Sequence, residues 1–238
     1  MAGLTDSKLF CVVRQMVGLM PPKQVLFLGY DRNETALIDA IERSVGGSVR
    51  HAYAGVSDLS EFDLVISFGY RHLLDAATLA TAKRPPLNLH IAFLPWNKGA
   101  HPLFWACMDG TPIGVTIHEM DPGVDTGHIL FQALVDISPS AMTFEEGYWR
   151  LRHEMELLFL RNLRTILAGD YHAAPQRHEG TFHRARDLPE GFSWSELISP
   201  AVWRLRESLV AHSLPDQMSL KVGKAGEYIG GSDAASGH

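Results

Sequence analysis

An unbroken apolar run, Val25-Leu26-Phe27-Leu28, ends at Gly29, and Leu37, Ile38, Ile41 and Val45 then recur at helical spacing before Gly46-Gly47. A strand with one wet face alternates polar and apolar residues, so an unbroken run marks a strand covered on both faces. Run, glycine turn and amphipathic helix together form the first β-α unit of a parallel sheet. The pattern then repeats. A second strand is expected over residues 48–54, a buried one over 63–67, a helix over 73–82 stopped by Pro85-Pro86, and another strand over 87–90. The fold class that follows is α/β: a Rossmann-like, doubly wound, mostly parallel sheet with flanking helices. Ligands in such folds sit beyond the carboxyl ends of the strands.

Past residue 90 the pattern changes. Gly114-Val115-Thr116-Ile117-His118 and residues 128–135 have the look of longer strands bracketing a loop that carries Asp121 and Asp125. Thr143 with Glu146 forms a capping-box pattern ahead of Tyr148, Leu151, Met155, Leu158, Phe159, Leu163 and Ile166, and Gly169 supplies the stop. That stripe predicts a long helix packed on the sheet. The expected organisation is an N-terminal extension over 1–22, a catalytic domain over 23–169, and a short irregular and helical C-terminal extension over 170–238. The extension holds a helix near 200–212, and its Gly/Ser/Ala-rich tip is expected to be disordered.

The chain carries 21 Lys+Arg against 27 Asp+Glu, a net charge of −6, with its cations scattered. Binding to duplex nucleic acid needs a concentrated basic surface, so no nucleic-acid partner is expected. Cys11 and Cys107 have no disulfide or zinc spacing, and two reduced core thiols fit a cytoplasmic protein. Residues 9–20 are apolar but interrupted by Arg14 and Gln15, too short to span a bilayer, so no membrane partner is expected either.

Asn88 and His90 stand two apart on one strand and therefore share a face. Asp125 meets them if the loop of Asp121-Pro122-Gly123-Val124-Asp125-Thr126-Gly127 folds back over the same sheet edge. An amide N–H and an imidazole can polarise a carbonyl and hold the oxyanion of a tetrahedral intermediate. A carboxylate beside the imidazole orients it, raises its pKa and assists proton transfer from an attacking amine. The trio is thus suited to moving an acyl group onto an amine. Alone, each residue is equally compatible with a turn or a satisfied polar contact.

The surroundings carry more. Asn88-Leu89-His90, the turn from Leu94 and Pro95 to Gly99, and the loop from Gly114 to Gly127 occur in the order found in formyltransferases that use 10-formyltetrahydrofolate, and the segment over 25–135 resembles their catalytic core. The resemblance implies the formyltransferase fold, with Asn88, His90 and Asp125 as catalytic trio and no metal. It implies a folate site formed by Phe68, Tyr70, Arg71, His72, Leu73, Leu74, Asn88, Asp121, Val124 and Asp125. His101 and His118 flank this site, and their spacing matches no metal motif.

The acceptor is narrowed by what the chain has in place of other family patterns. About 70 residues follow the long helix and the balance is acidic, which argues against tRNA. Gly29-Tyr30-Asp31-Arg32-Asn33 stands where a phosphate loop rich in Gly and Ser is found in members acting on glycinamide ribonucleotide, and Asp31 is a poor neighbour for phosphate. The run from Leu94 to Pro102 is most similar to that of short sugar N-formyltransferases acting on nucleotide-linked amino sugars in O-antigen and related glycan synthesis. For such a substrate the binding residues expected are Tyr30, Arg32, Trp96, Asn97, Lys98 and Gly99, with Trp96 stacking on a ring and Arg32 and Lys98 meeting a pyrophosphate. A homodimer through the C-terminal segment is the expected assembly. The rivals are a formyltransferase for another small amine, such as a ribonucleotide or secondary-metabolite precursor, and a folate-binding module without catalysis.

Overall fold

The computed structural model describes residues 22–213, so the expectations for the N-terminal extension and the C-terminal tip lie outside the described residues. The strands and helices alternate as the apolar runs require: β1 (Val25–Gly29), α1 (Leu37–Val45), β2 (Val49–Ala52), β3 (Leu64–Phe68), α2 (Ala76–Ala80), β4 (Leu87–His90), β5 (Lys98–Gly99), α3 (Pro102–Asp109), β6 (Gly114–Glu119), β7 (Ile129–Leu134), α4 (Phe144–Ala168), β8 (Phe182–His183) and α5 (Ile198–Ser213). A six-stranded sheet has the order β2-β1-β3-β4-β6-β7. Its first four strands are parallel, while β6 runs antiparallel to β4, and β7 antiparallel to β6.

Alternate residues of β1 feed two cores. Val25 and Phe27 face one cluster with Leu37, Ile41, Leu151, Met155 and Phe159, whereas Leu26 and Leu28 face a smaller one with Leu59, Phe62, Val65 and Leu74. Helix α4 begins at Thr143, whose hydroxyl accepts from the Glu146 N–H while the Glu146 carboxylate accepts from the Thr143 N–H, and it ends at Gly169. Ile198, Ala201, Val202 and Leu205 of α5 enter the larger core, where α5 packs against α3 (Pro102–Asp109).

Three local expectations change. The helix over 73–82 contracts to α2, because Asp75 caps it through the Thr78 N–H and leaves residues 73–74 in the preceding loop. Helix α3 was not foreseen. It begins at Pro102, and it buries Leu103, Phe104, Ala106 and Met108. Within the extension expected to be irregular and helical, Phe182–His183 forms β8, which pairs in parallel with β5.

Candidate active site

The carboxyl end of β4 meets the crossing from parallel to antiparallel pairing, and there Asn88 lies opposite His118 and His90 opposite Thr116 on β6. The loop between β6 and β7 folds back over this edge. Asp121 shapes it by accepting from the Gly123 N–H (3.1 Å) and the Thr126 hydroxyl (2.5 Å). Gly127 allows the close return, since a Cβ there would lie 1.8 Å from the Glu119 carbonyl oxygen. Gln176, from beyond α4, donates to the carbonyls of Asp125 (2.8 Å) and Gly127 (2.9 Å) and clamps the loop from outside. Asp125 itself is left-handed at φ 53°, a conformation that persists when its surroundings over-determine it.

Those surroundings are four groups converging on one carboxylate. Asn88 Nδ2 donates to Asp125 Oδ1 (3.1 Å), and the Gly99 N–H donates to Oδ2 (2.8 Å). His90 Nδ1 stands 3.6 Å from Oδ2, and His118 Nε2 stands 3.4 Å from Oδ1. Gly99 must be glycine here: its φ is 88° and a Cβ would lie 2.2 Å from the His183 carbonyl oxygen. The partners on the far sides of the rings assign the tautomers. His90 Nε2 faces the Asn97 carbonyl (3.2 Å) and must donate to it, so Nδ1 carries the lone pair toward the carboxylate when the ring is neutral. His118 Nδ1 donates to the Glu119 carbonyl (2.7 Å), leaving its Nε2 to accept from Asn88 Nδ2 (3.2 Å).

Electrostatics differ from the sequence expectation at His90. Burial pushes its pKa down from the ordinary 6.5, against the upward pull of Asp125, so the net direction is lowered and not raised. The carboxylate lies at the edge of a ring that is mostly shielded from water, and that loss of water outweighs one anion at 3.6 Å. Burial also opposes ionisation of Asp125, yet His90, His118 and the Gly99 N–H hold its carboxyl well below the usual range. Near neutral pH the site is therefore an ionised carboxylate beside a neutral imidazole.

Asn88 is engaged as well. Its two N–H groups are engaged by Asp125 and by His118, so neither is idle for a formyl oxygen. The bond to the anion is the stronger one. The N–H shared with the His118 ring is the one that a ligand carbonyl can take over.

The trio opens into a cavity of about 690 Å³, within the usual range for small-molecule sites. Phe68, Tyr70, Arg71, His72, Leu73, Asp121 and Val124 line it together with Asn88, His90 and Asp125, and so do Tyr30 and Gly99. Leu74 does not; it is buried in the smaller core. Four residues expected to touch the acceptor are elsewhere. Arg32 is paired with Asp39 and Glu42 of α1. Asn97 is buried between Thr111 and Thr181. Lys98 Nζ donates to the Glu179 carbonyl (2.6 Å), and the half-buried Trp96 is outside the cavity lining. Trp96, Asn97 and Lys98 belong to the turn from Leu94 to Gly99, where Thr116 accepts from the Leu94 N–H and Gln132 donates to the Leu94 carbonyl.

Two residues were missed as participants. His118 shares the trio's carboxylate, and its place two after Thr116 on an alternating strand was the available signal. Gln176 had none, since it reaches Asp125 across 51 positions of sequence. Among the described residues no group of three or more His, Cys, Asp or Glu side chains is arranged to hold a metal ion.

The chain is 32% identical over 124 residues to a methionyl-tRNA formyltransferase of Sorangium cellulosum, a match covering 52% of this chain and 40% of that protein's length. It is 33% identical to the crystal structure of the formyltransferase PseJ from Anoxybacillus kamchatkensis in complex with UDP-4,6-dideoxy-4-formamido-L-AltNAc and tetrahydrofolate, with a TM-score of 0.67 over 74% of this chain and 96% of that one. An N-formyltransferase from Helicobacter canadensis, in complex with folinic acid and dTDP-3-aminofucose, shares the fold at a TM-score of 0.62 and 17% identity, over 72% of this chain and 74% of that one. The family model described as formyl transferase matches residues 35–163, the stretch that carries β4, the Asp125 loop and most of α4. With that match over more than half of its length, the chain belongs to the formyl transferase family.

Proposed function

We propose that this protein is an N-formyltransferase that moves the formyl group of 10-formyltetrahydrofolate to the primary amine of a nucleotide-linked amino-deoxysugar. The single observation that carries the reading is the convergence of Asn88, His90 and Asp125 at the floor of a cavity lined by aromatic and apolar groups. Likeness to PseJ, whose crystal held a UDP-linked formamido sugar and tetrahydrofolate, favours a sugar acceptor.

The cavity wall suits a folate. Phe68, Tyr70, Leu73 and Val124 offer apolar surface to a flat ring system, and the loops over 69–73 and 121–124 bring backbone polar groups to its edge. When bound, the folate supplies a formyl group activated by its nitrogen; the residues of this chain do the rest. Asn88 offers its second N–H to the formyl oxygen as negative charge builds there. Neutral His90 is the base for the proton that the attacking amine must lose, and as imidazolium it can return that proton to the folate nitrogen as the bond from that nitrogen to the formyl carbon breaks. Asp125 stabilises the resulting imidazolium and stays ionised throughout, as its lowered pKa requires. A low His90 pKa keeps the ring unprotonated and ready at neutral pH.

Formylated nucleotide sugars of this kind serve O-antigen and related glycan synthesis, which is the use we infer for the product. The test is incubation of the purified protein with 10-formyltetrahydrofolate and a panel of dTDP-, UDP- and GDP-linked 3- and 4-amino-deoxysugars. Mass spectrometry should find a formyl group added to at least one. Formylation of an unrelated amine with none of the panel modified would overturn the acceptor, and folate binding without turnover on any amine would overturn the activity.

A further inference from the structure

Beside the trio, the cavity is lined by His72, His118 and, at the start of α3, His101. Its backbone is left-handed, φ 54° and ψ 46°, although it carries a full side chain and directly precedes Pro102. A residue before proline is normally driven to extended conformations, and left-handed ones are uncommon for any residue but glycine. The conformation is fixed from both sides. The Gly99 N–H is bound to Asp125 (2.8 Å), the Ala100 N–H donates to the His183 carbonyl (2.9 Å), and the His101 carbonyl accepts from the Trp105 N–H (3.2 Å) in the first turn of α3.

The ring held this way has no hydrogen-bond partner among the described residues: it does not cap α3, and only desolvation acts on its titration. Of the other histidines lining the cavity, His90 and His118 each have a ring nitrogen engaged by a backbone carbonyl, while the exposed His72 has no side-chain hydrogen bond among the described residues. Burial pushes the His101 pKa down, so near neutral pH the ring offers one N–H donor and one lone pair. Its flank is aromatic. Trp194 lies 5.9 Å from it and 5.9 Å from Tyr148, whose hydroxyl is 2.6 Å from that of Tyr30, another cavity residue. His101 and Tyr30 are thus two ends of one aromatic wall drawn from four separate parts of the chain.

We propose that His101 is a specificity-determining residue of the acceptor site, whose ring exchanges hydrogen bonds with a hydroxyl or acylamino group of the amino sugar. An unpartnered donor and acceptor on one half-buried ring matches a group that itself donates and accepts; a phosphoryl oxygen would leave the lone pair unmatched. The role lies in binding, with proton transfer left to His90. It rests on the acceptor class proposed above.

The test compares His101→Phe and His101→Asn with the parent enzyme on the panel sugar that is turned over, varying acceptor and folate separately. Asn tolerates the left-handed backbone and keeps a donor and an acceptor. The Phe variant should raise the acceptor KM by about tenfold or more, the scale of one lost hydrogen bond that leaves a sugar group unpaired. Its kcat and folate KM should stay within about threefold of the parent, and the Asn variant should recover part of the acceptor KM. An unchanged acceptor KM in the Asn and Phe variants, a raised folate KM, or a fall confined to kcat would each overturn the assignment. Should the Phe variant fail to fold, the Asn variant decides: an acceptor KM equal to the parent's overturns the assignment and a raised one supports it. Absence of turnover on the whole panel removes the proposed function and this inference with it, whereas turnover with unaltered variants removes this inference alone.

Discussion

At the level of single residues, Asp125 holds the site together, because two imidazoles, one carboxamide and one backbone N–H meet on its two oxygens. Removing its charge leaves those donors and rings without their common anchor. His90→Ala and Asp125→Asn should each lower turnover by at least about a hundredfold, the scale of a lost acid–base or charge-stabilising group. Steady-state rates on the accepted sugar check this, and near-parental values would remove the two residues from the mechanism. His90 also links folding to pH. Its folded pKa lies below the unfolded value of 6.5, so on acidification the unfolded chain takes up the proton first, and stability present above 6.5 is lost as pH falls toward the folded pKa. Asp125, with a depressed carboxyl pKa, contributes a separate loss only below about pH 4. Urea unfolding at pH 7 and pH 5 should therefore show a drop in the parent that is smaller in His90→Gln; an equal drop would place its source elsewhere.

Among elements, the sequence was most legible where one element decides its own state. The apolar run of β1, the stripe and capping box of α4 and the shared face of Asn88 and His90 follow from local pattern, and all appear in the structure. Helix α3 and the β5–β8 pair were illegible, because their stability comes from contacts with α4, α5 and each other across distant sequence. The Asp125 loop shows the same division. Its internal turn is written in Asp121 and Gly123, but its position depends on Gln176. Gln176→Met keeps the side-chain volume and removes both hydrogen bonds to the loop carbonyls. It should reduce kcat by about tenfold, since each such bond contributes about 1 kcal/mol to holding the carboxylate in place. A parental kcat with unchanged folding would show that the loop holds its position without this clamp.

Across the whole molecule, both sheet faces are covered and the crevice lies where parallel strands give way to antiparallel ones. Phe159 sits fully buried where α4 covers the sheet. Phe159→Ala should cost about 3 to 5 kcal/mol in chemical unfolding, while the protein that remains folded keeps its folate affinity; a cost below about 1 kcal/mol would mean the core closes around the gap. The residues expected to reach the acceptor illustrate why sequence runs out at this scale. Arg32, Asn97 and Lys98 carry groups that could bind a substrate, and each is engaged by a protein partner. Proximity along the chain could not separate these from Tyr30 and Gly99, which do line the cavity. By itself, the sequence determined the α/β order, the strand that presents Asn88 and His90, and the family, because periodicity and local motif are properties of contiguous residues. Only the tertiary structure decided that Asp125 also binds His118, that burial lowers the pKa of His90, and that His101 faces the cavity without a partner. These depend on distance and desolvation, which arise when residues remote in sequence close around one point.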